Sequence, residues 1–224
     1  MRRSYWKYGR RASGLNRRRV WVVSRAAGIA GQASNAVGLA DVLFGRRKLK
    51  EASREKLFAI STARITLESE LGLKPVSAAV CFKPLSAGEF VRAENELQEL
   101  LDKVTQETGS RLERRSDAFG YEWIVMRDVD FEDLVTTSHL IGEELQSRGF
   151  GSQLLAAVFR FEGEARPVFW IYGYKRGAFW PFVPTGEESG RDNARELELK
   201  AKLEGELPIE PDLTRWFGVF DAPL

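Results

Sequence analysis

The chain has 224 residues, of which 43% are hydrophobic and 29% charged, a balance typical of a globular protein. Its single cysteine excludes a disulfide framework within the chain, and one cysteine with one histidine cannot form the usual kind of zinc site. No apolar run approaches the roughly 18–20 residues of a membrane-spanning helix, so we expect a soluble, cytoplasmic protein.

Residues 1–36 form a basic extension that we predict to be disordered. This stretch contains nine Lys or Arg residues and no Asp or Glu; subtracting nine from the net charge of +2 leaves −7 for the remaining residues. Three interpretations are open: an arm that binds nucleic acid or anionic lipid, a transit-like peptide, or upstream sequence included by a start codon chosen too early. We favour the third, with Val37 as the true initiator; intact mass of protein made from the native gene tests it.

Residues 37–61 are predicted to contain a short amphipathic segment and a linker. Leu39, Val42, Leu43 and Phe44 include apolar side chains at helical spacing, and basic residues follow them. They are expected either to dock on the domain as a short helix or to anchor the protein to a partner or a membrane surface. The polar stretch 49–61 is interpreted as a linker or an exposed helix.

Residues 62–224 alternate between helical and strand patterns, punctuated by Gly, Pro and capping residues. The predicted elements are a helix at Thr62–Leu73, a strand at Val76–Phe82, a helix from the Ser86–Glu89 capping box to Gly109, strands at Ser110–Arg115 and Tyr121–Met126, a helix from Asp130 to Gly149, a hairpin of Leu154–Phe161 and Val168–Tyr174, a strand at Phe179–Val183, and a helix from Asp192 to Glu204.

This order, helix–βαββαββ–helix, predicts a single α+β domain with an antiparallel sheet and helices packed mainly on one face. The strand at Tyr121–Met126 is expected to be half-buried. Glu196–Lys200 and Glu198–Lys202 are expected to be solvent-exposed pairs on the last helix. The segment from Trp216 to Phe220 is expected to fold back onto the core.

The candidate chemical motifs are weak. Asp128, Asp130, Glu132 and Asp133 lie at a predicted helix N-terminus, where carboxylates cap free N–H groups, and their spacing is not that of a calcium loop. Nothing near His139 supplies a nucleophile motif. We therefore predict no catalytic residue, no metal site and no cofactor.

The segment from Tyr172 to Phe182 mixes basic and aromatic residues. Such a segment serves as core packing, as a protein-binding surface or as a base-stacking platform, and we favour core packing over the other two. For the protein-binding interpretation, the candidate contact residues are Tyr174, Lys175, Arg176, Phe179 and Trp180.

Several ungapped motifs from residue 37 onward resemble the PspA-associated protein PspAB family. They are Gly38–Arg46, Leu67–Glu68, Leu71–Pro75, Val80–Pro84, Phe119–Trp123, Gly149–Leu155, Tyr174–Gly177 with Phe182, Arg191–Ala194, Glu196–Leu197, Leu207–Leu213 and Arg215–Phe217. The resemblance excludes residues 1–36, and family members begin with Met-Gly where this chain has Val37-Gly38.

The resemblance implies association with PspA, a coiled-coil protein that protects stressed membranes in the phage-shock response, and it brings no catalytic residues with it. The expected function is a non-enzymatic adaptor or regulator of an envelope stress response, with peripheral contact at the inner face of the membrane. The alternative is a ligand-binding or enzymatic domain whose site forms only in three dimensions, with Arg176, Arg191, Asp192 and Asn193 as candidates. Nucleic-acid binding would depend largely on the basic extension.

Overall fold

The alternating and helical patterns become four helices and six strands in the computed structural model, which describes residues 56–83, 90–163, 165–187, 190–220 and 222–224. In chain order these elements are α1 (residues 56–69), β1 (Lys74–Phe82), α2 (Phe90–Thr108), β2 (Arg111–Ser116), β3 (Glu122–Arg127), α3 (Phe131–Ser147), β4 (Leu154–Glu162), β5 (Val168–Gly173), β6 (Ala178–Phe182) and α4 (Asn193–Leu203). No helix in this described part of the chain has the length and apolar character needed to cross a membrane.

All six strands belong to one antiparallel sheet with the order β2-β3-β1-β4-β5-β6. Strands β2 and β3 form a hairpin through the turn at Asp117, whose carboxylate accepts backbone N–H groups from Phe119 and Tyr121, both at 2.9 Å. Strand β6 pairs with β5 at one end of the sheet, as an edge position for Pro181 requires. The predicted α+β fold class and the predicted antiparallel sheet are confirmed.

The helix ends follow the capping signals in the sequence. Asp130 caps α3 by accepting the N–H of Glu132 at 2.9 Å, and Asp192 caps α4 by accepting the N–H of Arg195 at 3.0 Å. After α3, Gly149 takes a left-handed conformation with φ of 90°, which a glycine adopts at little cost. Helix α1 already includes residue 56, so residues 56–61 form a helix, which is one of the two interpretations given for the stretch 49–61. The Ser86–Glu89 capping box lies outside the described residues.

The two faces of the sheet carry separate apolar clusters. All four helices contribute buried side chains to the cluster on one face, which we call the helix-side core. The cluster on the other face, the second core, is built from strand side chains and Trp216, with residues near the C-terminus packed against it. Helices therefore lie mainly on one face, as predicted.

Two details of the prediction are wrong. Strand β3 is buried on both faces, because Trp123 and Val125 enter the second core while Ile124 and Met126 enter the helix-side core. The exposed pairs predicted on α4 do not form.

Glu196 is 2% exposed and pairs with Arg191, whereas Glu198 pairs with Arg195. Lys200 and Lys202 pair instead with Glu204 and Glu70. Helical spacing alone could not distinguish Glu196 from Glu198, since their surroundings come from distant parts of the chain.

Candidate functional site

The residues predicted to contact a partner lie where the β5–β6 turn meets the C-terminal segment, which comprises residues 207–220 and 222–224. The turn closes through N–H groups of Arg176 and Gly177, which donate to the carbonyl of Gly173 at 3.0 and 2.8 Å. Gly177 has φ of 61°, a conformation that other residues rarely adopt. This geometry places Lys175 and Arg176 at the tip of the turn.

Tyr174 points away from that tip and contacts α3. Its hydroxyl donates to the carbonyl of Ser138 at 2.9 Å. Gly142 leaves room for the ring, because a Cβ there would lie 2.9 Å from the Tyr174 Cε1 atom. Burial, and to a smaller extent the nearby Tyr172, raises the pKa of the Tyr174 hydroxyl. Tyr174 thus ties the turn to a helix instead of presenting its ring to solvent.

Phe179 and Trp180 are 0% and 4% exposed, so core packing, the favoured interpretation of this segment, is confirmed for both rings. Phe179 packs against Tyr172 with ring centroids 4.8 Å apart. Its backbone also pairs with the C-terminal segment: its N–H donates to Pro208 at 2.8 Å, and its carbonyl accepts the N–H of Glu210 at 2.9 Å. The two rings lie on opposite faces of the sheet, Phe179 in the helix-side core and Trp180 in the second core.

Arg176 is engaged by the C-terminal segment. Its Nη1 atom lies 3.6 Å from Oε2 of Glu210, whose side chain is almost completely buried, and 3.4 Å from the carbonyl oxygen of Arg215. The guanidinium also lies over the Phe217 ring, 5.8 Å from its centroid. Lys175, the next residue back along the turn, is exposed.

Three consecutive backbone carbonyls of the C-terminal segment accept hydrogen bonds from three different side chains. Arg176 donates to residue 215 at 3.4 Å, Arg191 to Trp216 at 2.8 Å, and the Trp180 indole N–H to Phe217 at 2.9 Å. Because carbonyls are recognised, the segment is held by its backbone as well as by its side chains.

Arg191 is the best-connected of these three donors. Its Nε and Nη2 atoms bind both carboxylate oxygens of Glu196 at 2.7–3.1 Å, and its guanidinium lies 5.5 Å from the centre of the Phe182 ring. Glu196 also accepts the backbone N–H of Val183 at 2.9 Å. Such a fork-to-fork contact fixes both planes and joins α4, the end of β6 and the C-terminal segment.

Three of the four residues proposed for a hidden ligand site have side-chain partners within the chain. Arg176 and Arg191 bind different carboxylates, Glu210 and Glu196. Asp192 caps α4, and Asn193 is the exposed first residue of that helix. Cys81 and His139 are separated: Cys81 belongs to the second core, whereas His139 lies on α3 beside Phe58, with ring centroids 5.2 Å apart.

The acidic residues before α3 act as predicted for helix capping. Asp128 accepts the N–H of Asp130 at 3.1 Å and the hydroxyl of Ser110 at 2.8 Å, and these contacts lower the pKa of its carboxyl group. Within the described ranges, no three His, Cys, Asp or Glu side chains are grouped so as to hold a metal ion.

The exposed part of this junction is a surface that the sequence analysis identified only in part. Leu213 and Phe217 are 49% and 56% exposed, and Arg215 lies between them in the chain. The Arg176 guanidinium lies over the Phe217 ring, and Lys175 precedes Arg176 in the turn. We call these five residues the basic–apolar surface. The sequence predicted that the segment from Trp216 to Phe220 would fold back onto the core, and Trp216 is buried there. Phe217 is exposed although it is the next residue, because the path of the segment turns its side chain towards solvent.

The other predicted contact residues, Leu39, Val42, Leu43 and Phe44, lie outside the described residues.

The model of the family described as PspA associated protein B, PspAB, matches residues 37–224. No curated protein and no solved structure gives a significant match to the chain. The match spans every described element and the whole basic–apolar surface.

Proposed function

The chain belongs to the PspA associated protein B family, and from this membership we propose that it is a non-enzymatic adaptor or regulator in a PspA-type envelope stress response. It acts by protein–protein contact in the cytoplasm, and its partner is a PspA-type coiled-coil protein. Peripheral contact with the inner face of the membrane would involve Leu39, Val42, Leu43 and Phe44.

The observation that carries this proposal is the basic–apolar surface. Two large apolar side chains, Leu213 and Phe217, stand exposed in the region of Lys175, Arg176 and Arg215. Arg176 pairs with Glu210 and Arg215 with Asp212, so Lys175 is the cation of this surface with no ion pair to a described residue. Aromatic and Arg side chains are enriched at protein interfaces, and charge at the rim speeds association with a partner of opposite sign. A charged helical partner offers both an apolar stripe and acidic side chains, so it complements this surface.

The backbone that carries Phe217 is held in place by hydrogen bonds. The carbonyls of residues 215–217 are bound by Arg176, Arg191 and Trp180, and Trp216 is buried with its indole N–H donating to the Glu210 carbonyl at 2.9 Å. Phe217 is therefore presented on a backbone held at each of three successive residues. A preorganised contact residue loses less conformational entropy on binding.

This geometry determines which substitutions test the proposal. Arg176 is unsuitable, because replacing it would leave the buried Glu210 carboxylate without one of its cations and would disturb the fold. Lys175 is exposed and can be changed with little effect on folding. Phe217 is 56% exposed but its ring also meets Trp180, so urea unfolding of the Phe217 variant accompanies the binding measurement. Lys56→Glu and Leu197→Ser are matched controls, since both residues are exposed on other elements, α1 and α4.

Binding is measured with the purified PspA-type protein of the same cell and the full chain. We expect Phe217→Ser to weaken binding by roughly 30-fold, as for an aromatic contact residue at the centre of an interface. We expect Lys175→Glu to weaken it by about threefold to tenfold, mainly through the association rate and more strongly at low salt. Equal affinity for all variants, or equal losses in the two controls, would show that this surface does not bind the partner.

A further inference from the structure

One row of strand residues crosses the whole sheet on the face opposite the helices. The strand pairing places Arg111 opposite Arg127 on one side, and Ser77, Arg160, Phe169 and Phe182 side by side on the other. The two groups adjoin where Met126 pairs with Ala78, because Arg127 directly follows Met126 and Ser77 directly precedes Ala78. Their face follows from alternation, because residues two positions further along, such as Val125, Ala79 and Val158, belong to the second core. Three of the first four positions are therefore arginines.

The outer two arginines have little to balance them. Arg111 and Arg127 are directly opposite each other across β2 and β3, an arrangement that is unfavourable for like charges. The nearby Glu113 carboxylate accepts a hydrogen bond from Arg115, which together with the charges of Arg115, Arg111 and Arg127 lowers its pKa. Within the described residues, the side chains of Arg111 and Arg127 make no hydrogen bond and no close ion pair.

The inner pair, Ser77 and Arg160, has two polar atoms without a partner. Ser77 is 1% exposed, and its Oγ has no hydrogen-bond partner; the same holds for the buried Nε of Arg160, its cross-strand neighbour. The other nitrogens of Arg160 are used, Nη2 by Glu162 and Nη1 by the Leu224 carbonyl oxygen at 2.5 Å. Buried polar groups are nearly always satisfied, so two unsatisfied donors side by side point to an absent acceptor.

A local irregularity also distinguishes this position. The β1–β4 register shifts between Pro75 and Ser77, immediately before the row. A β-bulge re-aims the side chain that follows it and is common beside functional sites.

We propose that Ser77, Arg160, Arg127 and Arg111 form a binding site for a phosphate group. The donors come from four neighbouring strands and share one face of the sheet, so a ligand there would be held by several separate side chains. That arrangement suits a tetrahedral oxyanion better than a planar carboxylate, which prefers a single guanidinium fork. The three arginines exceed Glu113 and Glu162 by one positive charge, which suits a phosphate group that carries one negative charge. Inorganic phosphate, a small phosphorylated compound and a lipid phosphate headgroup share this chemistry.

The first test titrates inorganic phosphate into the full chain by calorimetry, with chloride maintaining the ionic strength. We expect saturable binding with a dissociation constant of about 1 mM or below. Arg127→Gln should weaken binding by about tenfold or more, and Ser77→Ala by about fivefold, as expected for a charged and a neutral hydrogen bond. Arg195→Gln on α4 is the control, because it removes one positive charge from a different element.

Ser77→Ala also provides a readout that a purely structural role would not produce. Removing a buried hydroxyl that has no partner should leave the phosphate-free protein equally stable or more stable to denaturant, while phosphate binding weakens by about fivefold. A variant that loses stability and phosphate affinity together would indicate a structural hydroxyl and would contradict the proposal.

A second arm identifies the source of the phosphate with vesicles of phosphatidylcholine containing phosphatidate. The basic residues 1–36 attract any anionic vesicle, so only binding that Ser77→Ala and Arg127→Gln reduce, and Arg195→Gln does not, counts as binding at this site. Such a pattern assigns a lipid headgroup, and its absence together with binding of inorganic phosphate assigns a soluble phosphate compound. No saturable phosphate binding and no variant-sensitive vesicle binding, or equal losses in Arg195→Gln, would overturn the proposal.

Discussion

The helix-side core is closed by regular helices, whereas over β5 and β6 the second core is closed by an irregular segment. On the first face, long apolar stripes from α1 to α4 meet the sheet. On the second, Trp180 meets Phe217 with ring centroids 6.3 Å apart, and Phe182 meets Phe220 at 4.8 Å. Gly218 allows this approach, because a Cβ there would lie 2.8 Å from the Phe182 ring.

The difference shows how each covering is stabilised. A helix satisfies its own backbone, so its side chains need only be apolar and correctly spaced. An extended segment has unsatisfied backbone groups, so it must find donors elsewhere. Here Arg176, Arg191 and Trp180 supply them, which makes the second covering depend on a few specific side chains.

The largest expected difference between the two cores is in the stability lost when a cavity is opened in each. Phe159 is fully buried among the helix-side residues, and its ring lies 5.9 Å from that of Phe131. We expect Phe159→Ala to lower the free energy of unfolding by about 4 kcal/mol. The matched variant Phe169→Ala, in the second core, should cost about 2–3 kcal/mol, because an irregular covering segment relaxes into a cavity more readily than packed helices do. Urea unfolding measures both, and a larger loss for Phe169→Ala would contradict the comparison.

The ion pair that holds the C-terminal segment gives the next largest effect. Glu196→Ala leaves Arg191 and the Val183 N–H without their acceptor, and we expect a loss of about 3 kcal/mol. Hydrogen exchange should increase first in residues 213–217, since Arg191 no longer has a fixed position.

Glu198→Ala is the control for this prediction. Glu198 is exposed and pairs with Arg195 on the same helix at 2.8 Å, so its removal should cost less than about 0.5 kcal/mol. Similar losses in the two variants would mean that burial of Glu196 does not determine the stability of this covering.

The smallest expected effect is a difference in acid sensitivity. The N–H of Asp130 and the hydroxyl of Ser110 lower the pKa of Asp128 in the folded protein. A carboxyl group whose pKa is lower in the folded protein stabilises the fold at pH values above its unfolded-state pKa of about 3.9. This contribution is lost as the pH falls through the folded-state pKa. Asp128→Asn should therefore show a smaller decline in unfolding free energy between about pH 4 and pH 2.

Asp212 provides the contrast on the second face. Its pKa is also lowered, chiefly by the hydroxyl of Thr214, but that contact stays within one turn of the C-terminal segment. Asp128 instead joins the start of β2 to the start of α3 through Ser110. We expect Asp212→Asn to leave global acid unfolding unchanged and to alter only local exchange near residue 214; a global effect would show that the segment unfolds together with the core.

The sequence predicted the helix-covered half of the molecule well, because that half obeys local rules. Capping residues Asp130 and Asp192 and the stop at Gly149 gave the ends of α3 and α4 to within a residue or two. The period-two pattern of β1 and the aromatic hairpin β4–β5 gave the centre of the sheet. The family resemblance from residue 37 onward was also visible in the sequence.

What only the tertiary structure decided are the contacts between residues far apart in the chain. Glu196 is buried and Glu198 exposed because Arg191 and the Val183 N–H approach one side of α4. Trp180 is buried, and Phe217 is exposed, because the C-terminal segment crosses β6 along one particular path. The row of Arg111, Arg127, Ser77 and Arg160 exists only through strand register. Local propensity determines which element forms, but only the packing of distant segments determines which side chains meet.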